Sequence, residues 1–406
     1  MKKFGKILAF GLAGASLFTG GFLLTGCNKK EVKYKITYEL DGGSVVSNPS
    51  SYVAEQGATI NEPTRNNYIF DGWHVTGNGI NGELGNEVHL GSISGDVKLT
   101  AKWKSVFTFN IDGEITGVNS RVKNTIKRIV IPEVIDESSL DNINAVQIVA
   151  LGSNAFNGCA NLESVTISNK ITSIKESSFR GLFSGCNKLR EVKVESGNPK
   201  YDSRSNCNAI METTTNKLIA GCKNTVIPDA TTVIGKSAFC DIDTLTSISI
   251  PESVEIIESA AFQYCTNLTE INFAGTNHKL TTIGGSAFIE CTNLRSVQLP
   301  NSVTVIMDWA FNHCDNLQSI SLSQSLTTLG IGVFQFCEKL TTLTIPQNVI
   351  SIGAALCSGS GVASVMFADS DNWIDEDGDD VSSDFGDLTL AASLLKGYKG
   401  FEKVVE

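Results

Sequence analysis

Eleven cysteines, four histidines and a C-terminal run of acidic residues are where this 406-residue chain could do chemistry. The histidines, His74, His89, His278 and His313, are scattered, and none stands at a spacing that pairs it with a nucleophile or a second ligand. Serine is plentiful, but no Gly-x-Ser-x-Gly elbow occurs. The glycine-rich stretch 77–85 lacks the Lys-Ser/Thr that would make it a phosphate loop. Carboxylates cluster only at Asp369, Asp371, Asp375, Glu376, Asp377, Asp379 and Asp380. Calcium there would use Asp375, Asp377 and Asp379. The spacing lacks the twelve-residue loop with its closing Glu, so a solvated acidic loop is the alternative. No cofactor, no catalytic residue and no enzymatic activity are expected.

The cysteines explain themselves by register. Cys159, Cys186, Cys265, Cys291, Cys314 and Cys337 each precede x-x-Leu, and Ile242 fills the same place in its own unit. A site that accepts Cys or Ile is a small apolar core site, so a buried thiol ladder is expected. Disulfides between neighbouring copies would need Cβ vectors that parallel rungs do not offer. Metal binding would need a CxxC pair or a His partner, and neither accompanies these thiols.

Those cysteines belong to a repeat. Aligned on Phe156, Phe179, Phe239, Phe262, Phe288, Phe311, Phe334 and Leu356, the intervals are 23, 60, 23, 26, 23, 23 and 22. The interval of 26 holds three extra residues around Gly275-Thr276-Asn277, and that of 60 holds a long insertion. Each unit reads like Leu245-Thr-Ser-Ile248-Ser-Ile250-Pro251, then Val254 and Ile257, then Ala261-Phe262, Cys265 and Leu268. The period-two ending predicts a short strand with one buried face. The second apolar pair turns the chain at another edge, and Ala-Phe plugs the interior. One copy cannot bury its apolar face, but stacked copies can, which is a solenoid.

The recurring pattern of Ile-Pro, Ser-Val, Ile, Ala-Phe, Cys and Leu resembles the BspA-like (treponemal-type) leucine-rich repeats of bacterial surface proteins. The resemblance covers about residues 105–368. It implies a mainly β, right-handed leucine-rich-repeat solenoid and roles in adhesion or host contact. The insertion 195–230, with Asn198-Pro199 and Tyr201-Asp202, resembles one common in the same family. Within it, Ala209–Glu212 and Lys217–Ala220 flank Thr213-Thr214-Thr215-Asn216 and read as a hairpin. Pairing Met211 with Leu218 sets Cys207 opposite Cys222, either as a cross-strand disulfide or as two separate buried thiols. Residues 105–150 read as a degenerate first turn and cap, with strands at Ile115–Gly117 and Ile129–Ile131. In 369–406 the acidic loop precedes a cap helix at Leu388–Leu395, while Val365-Met366-Phe367 ends the solenoid of 151–368.

Residues 32–104 differ in character. Tyr34-Lys-Ile36-Thr-Tyr38-Glu-Leu40 alternates as a strand, and Asp41-Gly42-Gly43 stops it. Tyr68-Ile-Phe70-Asp-Gly72-Trp73 and Leu99-Thr-Ala101-Lys-Trp103 follow. These segments resemble the Listeria–Bacteroides repeat, also called the InlB B-repeat. That likeness implies a small β-grasp-like domain serving as spacer or contact module. Trp73 and Trp103 are expected in its core.

At the N-terminus, Lys2, Lys3 and Lys6 precede an apolar stretch from Ile7 to Leu24 that ends in Leu24-Thr25-Gly26-Cys27. A basic start, an apolar core and small residues at the end describe a signal peptide over 1–26. Its last four residues resemble a bacterial lipobox, which implies that Cys27 is lipidated and heads a short linker, 27–31. The stretch is near the lower length limit for a spanning helix, and Gly-Cys at its end points to processing. Removing its three lysines takes the net charge from −11 to about −14. Such a surface repels nucleic acid, so the expected partners are extracellular or envelope proteins, with the membrane reached through the lipid.

Where such a partner would sit is less plain. The outward strand positions Ser249, Asn272, Gln298, Ser321 and Thr344, with Arg295 beside them, form a polar face without aromatics. Tyr264, Trp309 and Phe336, next to the plugs, are the better candidates for contact. The expectation is a surface lipoprotein that adheres through its solenoid, the alternative a passive envelope spacer.

Overall fold

The period-two segments form strands and the chain coils through them, each turn laying its strand on the previous one. The computed structural model describes residues 31–45, 47–86, 88–136, 145–177 and 180–404. The signal segment and Cys27 lie outside the described residues.

The N-terminal module is built of β1 (Lys33–Glu39), β2 (Ser51–Val53), β3 (Thr59–Ile60), β4 (Tyr68–Gly77), β5 (Ile80–Leu84), β6 (Val88–His89) and β7 (Val97–Ser105). Five of these form a sheet in the order β2-β1-β7-β4-β5. β1 and β7 run parallel at its centre, while the outer pairs are antiparallel. That order is β-grasp-like, although the crossing from the β1–β2 hairpin to the β4–β5 hairpin, residues 54–67, holds β3 and no helix, and a 3-10 turn, Leu90–Ser92, stands between β6 and β7. Trp73 and Trp103 are buried in the core as expected, each edge-on to Phe70. Gly72 sits at a bulge with φ +102°, where a Cβ would come within 2.6 Å of the Leu84 carbonyl. That is why the Tyr-x-Phe-x-Gly-Trp element needs glycine.

The junction with the solenoid is stapled. The Val106 N–H donates to the Asn67 carbonyl (2.9 Å), and the Asp136 N–H donates to the Tyr68 hydroxyl (2.9 Å). Asp71 pairs with Arg121 at 2.6 Å and Lys104 at 3.1 Å, and Ile69 packs on the solenoid core. These cations draw the Asp71 carboxyl below its usual range against its partial burial.

Each solenoid turn contributes to three ladders. The predicted strands, such as Ser247–Ile250 with Glu270–Phe273, pair in parallel along the first. The second apolar pairs do more than turn a corner. Val233–Ile234, Ile256–Ile257, Thr282–Ile283, Val305–Ile306, Thr328–Leu329 and Ser351–Ile352 pair in parallel within an eleven-stranded sheet. The third ladder is the Ala-Phe segment. There the N–H groups of Ala260, Phe262 and Tyr264 donate to the carbonyls of Gly285, Ala287 and Ile289 on the next turn at 2.8–3.0 Å.

This third ladder corrects two alignments. Phe183 plugs the second turn: it is buried and stacks on Phe156 at 5.8 Å, while Phe179, the residue expected there, lies outside the described residues. Its Cys186 lies three residues on, as Cys159, Cys265, Cys291, Cys314 and Cys337 do from their plugs. At the last turn the plug is Cys357, not Leu356. The Phe334 N–H donates to the Leu356 carbonyl, the bond that Ala or Val makes elsewhere, so the period there stays 23.

The insertion hairpin forms between Ala209–Glu212 and Lys217–Gly221, with Met211 opposite Leu218. Its second strand joins the eleven-stranded sheet beside Val233–Ile234. Lys217 ties it to Glu176 (2.7 Å) and Glu258 (2.8 Å) on either side.

At the far end the helix Leu388–Lys396 covers the last turn, its N-terminus capped by Asp387. Its C-terminal carbonyls finish the third ladder. Gly397 accepts from the Ala355 N–H at 2.8 Å, and Leu395 from the Cys357 N–H at 3.1 Å. Trp373–Asp375, expected as part of the acidic loop, is a strand, and with Phe401–Lys403 it closes the large sheet as an antiparallel pair on Ser351–Ile352.

Candidate functional site

The core ladder is structural. Phe239, Phe262, Phe288 and Phe311 stack with centroids 5.0–5.2 Å apart and planes within 6°. Beside them run the thiols. Cys265 Sγ donates to the Phe239 carbonyl at 3.1 Å, Cys291 to Phe262 at 3.2 Å, Cys314 to Phe288 at 3.4 Å and Cys337 to Phe311 at 3.2 Å. The site therefore asks for more than small apolar bulk, because a thiol also gives the preceding plug's carbonyl a second donor. Burial pushes the Cys159 thiol up to about 11 and that of Cys337 to about 12, so these groups stay protonated and unreactive.

Cys207 and Cys222 are likewise buried free thiols. A bulge between Ile210 and Met211 shifts the hairpin by one residue, pairing Ala209 with Gly221, so the two are no longer directly opposed. Their sulfurs face the carbonyls of Ala209 (3.6 Å) and Asn208 (3.4 Å).

In the acidic tail the chain supplies its own cation. Lys399 Nζ reaches Asp375 at 2.7 Å and also pairs with Asp377. Asp375 further accepts the N–H groups of Asp377 and Asp379, so Asp379 meets it through backbone rather than carboxylate. Lys399 and these bonds hold the Asp375 carboxyl below its usual range. Among the described residues no group of three His, Cys, Asp or Glu side chains is placed to hold a metal. The histidines stay dispersed: His74 pairs with Glu83 (2.9 Å), His313 with Asp315 (3.5 Å), and His278 stands edge-on to Phe273.

The surfaces that remain are two. The first is the third ladder's outer edge. Tyr264, Trp309 and Phe336 all lie on it, exposed by 41, 44 and 39%. Their backbones are left-handed, at φ 60°, 55° and 59°. Equivalent positions on other turns, two residues before or after the plug, hold Gly158, Gly185, Gly332 and Gly359 but also Ser237, Asp241, Ala260, Ser286, Glu290, His313 and Ala355, all at φ 54–71°. A bulky residue there costs on the order of 1 kcal/mol or more that glycine does not. Trp309 lies over Gly332 and Phe336 over Gly359, and Phe336 also stacks on His313 at 4.4 Å. Met307 and Trp309 wall a groove of about 540 Å³ floored by Gly285 and Gly330.

The second surface is on the strand face, where Asn272 and Gln298 come together in a groove of about 690 Å³. Its wall is the three-residue insert with His278, which sequence reasoning passed over as loop filling. The broken 23-residue period was the available signal. Arg295 is exposed on the same face but does not line this groove.

A small β module stapled to a three-ladder solenoid, with ordered apolar plugs and no assembled catalytic group among the described residues, is the anatomy of a repeat scaffold. The BspA type leucine rich repeat region matches in six copies over residues 122–219, 219–278 and 275–377. The chain belongs to that family. The Listeria-Bacteroides repeat domain matches residues 34–102. Both families are described by their repeats and neither by a reaction.

No curated protein matches the chain. Among solved structures, a leucine-rich repeat protein from Eubacterium ventriosum is 16% identical with a TM-score of 0.37, covering 64% of this chain and 90% of that one. A leucine rich cell surface protein from Faecalibacterium prausnitzii is 20% identical with a TM-score of 0.25, covering 64% and 86%. A leucine rich repeat protein from T. pallidum is 20% identical with a TM-score of 0.24, covering 58% and 88%. Among the described residues no helix is long and apolar enough to cross a membrane.

Proposed function

We propose that this protein is a lipid-anchored cell-surface adhesion module that grips an extracellular or envelope protein with the outer edge of its third ladder. One observation carries the reading. Tyr264, Trp309 and Phe336 hold bulky exposed rings at left-handed positions where glycine would fold at lower cost. Folding does not ask for those rings, and aromatic anchors dominate binding at interfaces. Membrane attachment rests on Leu24-Thr25-Gly26-Cys27, whose thiol would carry the acyl chains.

A photo-crosslinking residue placed at position 309 on intact cells should yield a discrete protein adduct. The adduct should vanish when Tyr264 and Phe336 are changed to Ser. The same adducts from position 344, on the bland strand face, would sink the adhesion reading and leave a passive envelope spacer. For the anchor, labelled fatty acid should enter the wild-type chain and not Cys27→Ala.

A further inference from the structure

The strand-face groove lies away from the aromatic edge and has a different chemistry. Its distinctive element is the insert. Glu252 receives the N–H groups of both Thr276 and Asn277, the latter at 2.7 Å, and this folds Gly275–Asn277 into a wall. Gly275 has φ +92°, and a Cβ there would fall 2.1 Å from the Glu252 carboxylate, so the wall is built for one conformation. Those two bonds hold the Glu252 carboxyl below its usual range, and Glu252 does not line the groove.

No charged side chain lines the groove, in a protein of net charge −11. The amides of Asn272, Asn277 and Gln298 hydrogen-bond to no protein group among the described residues, so each offers a donor and an acceptor outward. The edge-to-face pair of Phe273 and His278 adds an aromatic flank. Asn272 and Gln298 stand on successive turns, on the strands Glu270–Phe273 and Ser296–Gln298, which belong to separate sheets and do not pair with each other. The two amides therefore flank the place where the strand ladder is interrupted and the groove opens.

From this geometry we propose that the groove around Asn272 and Gln298 binds a neutral oligosaccharide. The amides would read ring hydroxyls, the Phe273–His278 flank would take a C–H face of the sugar, and the absence of charge selects against anionic glycans. This site is independent of the aromatic edge proposed to hold a protein.

The test is calorimetric titration of the full chain with maltohexaose, cellohexaose and chitohexaose, with a heparin hexasaccharide as the anionic counterpart. At least one neutral hexasaccharide should bind with micromolar to millimolar affinity, and heparin should not. Asn272→Ala combined with Gln298→Ala should weaken binding at least tenfold with an unchanged melting temperature. Asn277→Ala, on the insert alone, should weaken it as well, while Trp309→Ala should leave it unaltered. The proposal is overturned if none of the three saccharides binds at millimolar concentration. It is equally overturned if these variants bind like wild type, or if a neutral Ser/Asn-rich decapeptide occupies the groove where the saccharides do not.

Discussion

Phe288→Ala is the sharpest test of the ladder. Phe288 is fully buried between Phe262, at 5.1 Å and 2°, and Phe311, at 5.2 Å and 6°. Truncating a buried phenyl costs about 3–5 kcal/mol in lost transfer energy and cavity. It also removes two ring–ring contacts worth about 0.5–1.5 kcal/mol each. Because the first range already contains part of the second, about 5 kcal/mol is the expected loss. Phe288→Leu keeps more of the volume but loses the same two ring contacts, and should cost about 1–3 kcal/mol. Rungs touch only their neighbours, so the damage should be local. Urea unfolding of the Ala variant should split into two transitions, as the turns on either side lose their coupling. Hydrogen exchange should accelerate first between residues 284 and 312. If Ala and Leu differ by less than about 1 kcal/mol, or unfolding stays single and merely shifts, the plugs are not what couples the turns.

The ladder thiols give a second check. With Cys159 raised to about 11 and Cys337 to about 12, the thiolate fraction at pH 8 is about one in a thousand or less. A thiol reagent should leave the ten described cysteines untouched until denaturant is added, and rapid labelling of the native chain would contradict their burial. Cys291→Val keeps an apolar side chain but removes the donor to the Phe262 carbonyl, which should lower stability by about 1 kcal/mol in chemical denaturation. No loss would show that the thiol acts as bulk alone. At the C-terminal cap, the Asp375 carboxyl is depressed by Lys399, so its ionised form favours the folded state. That stabilisation is present above about pH 3.9, the unfolded value, and fades as pH falls through the lower folded one. Fluorescence of the buried Trp373 should therefore report cap loosening in acid, and Lys399→Met should move the transition to higher pH.

How far the sequence could be read depended on how strictly geometry binds residue type. The solenoid was legible because a parallel ladder forces the same inward residue at the same place in each turn, so Ile248, Ile271, Val297 and Ile320 repeat. The Cys ladder was legible for the same reason. The plug of the second turn was misassigned because Ser178-Phe179 imitates Ala-Phe, although the three-residue step from Phe183 to Cys186 marks the true one. Cys357 was hidden because nothing about a cysteine says plug, and only the unbroken interval of 23 from Phe334 reveals it. The Ala-Phe plug was legible but its being a ladder was not, since the left-handed positions that flank it hold Gly on some turns and Tyr, Trp, Phe or polar residues on others, so no residue type marks them. The C-terminal strands pair across about 26 residues, beyond the reach of local patterning. Of the candidate contacts, the aromatic three proved to share an edge, and Asn272 and Gln298 a groove. The wall behind them depended on how Glu252 folds three inserted residues, which no spacing announces.

The C-terminal helix does more than shield apolar side chains. Every turn of the third ladder offers N–H groups forward and carbonyls backward, so the stack has a direction and each finished turn is a template for the next. At the last turn those donors end on the carbonyls of Leu395 and Gly397. The helix thereby acts as a chain terminator. Without it, the open end of one molecule would present to another the same row of donors that every internal turn presents to its neighbour. A solenoid of otherwise self-similar rungs then has no intrinsic length, and end-to-end fibre growth becomes its natural failure. The last few residues of the cap therefore keep an indefinitely extendable structure finite.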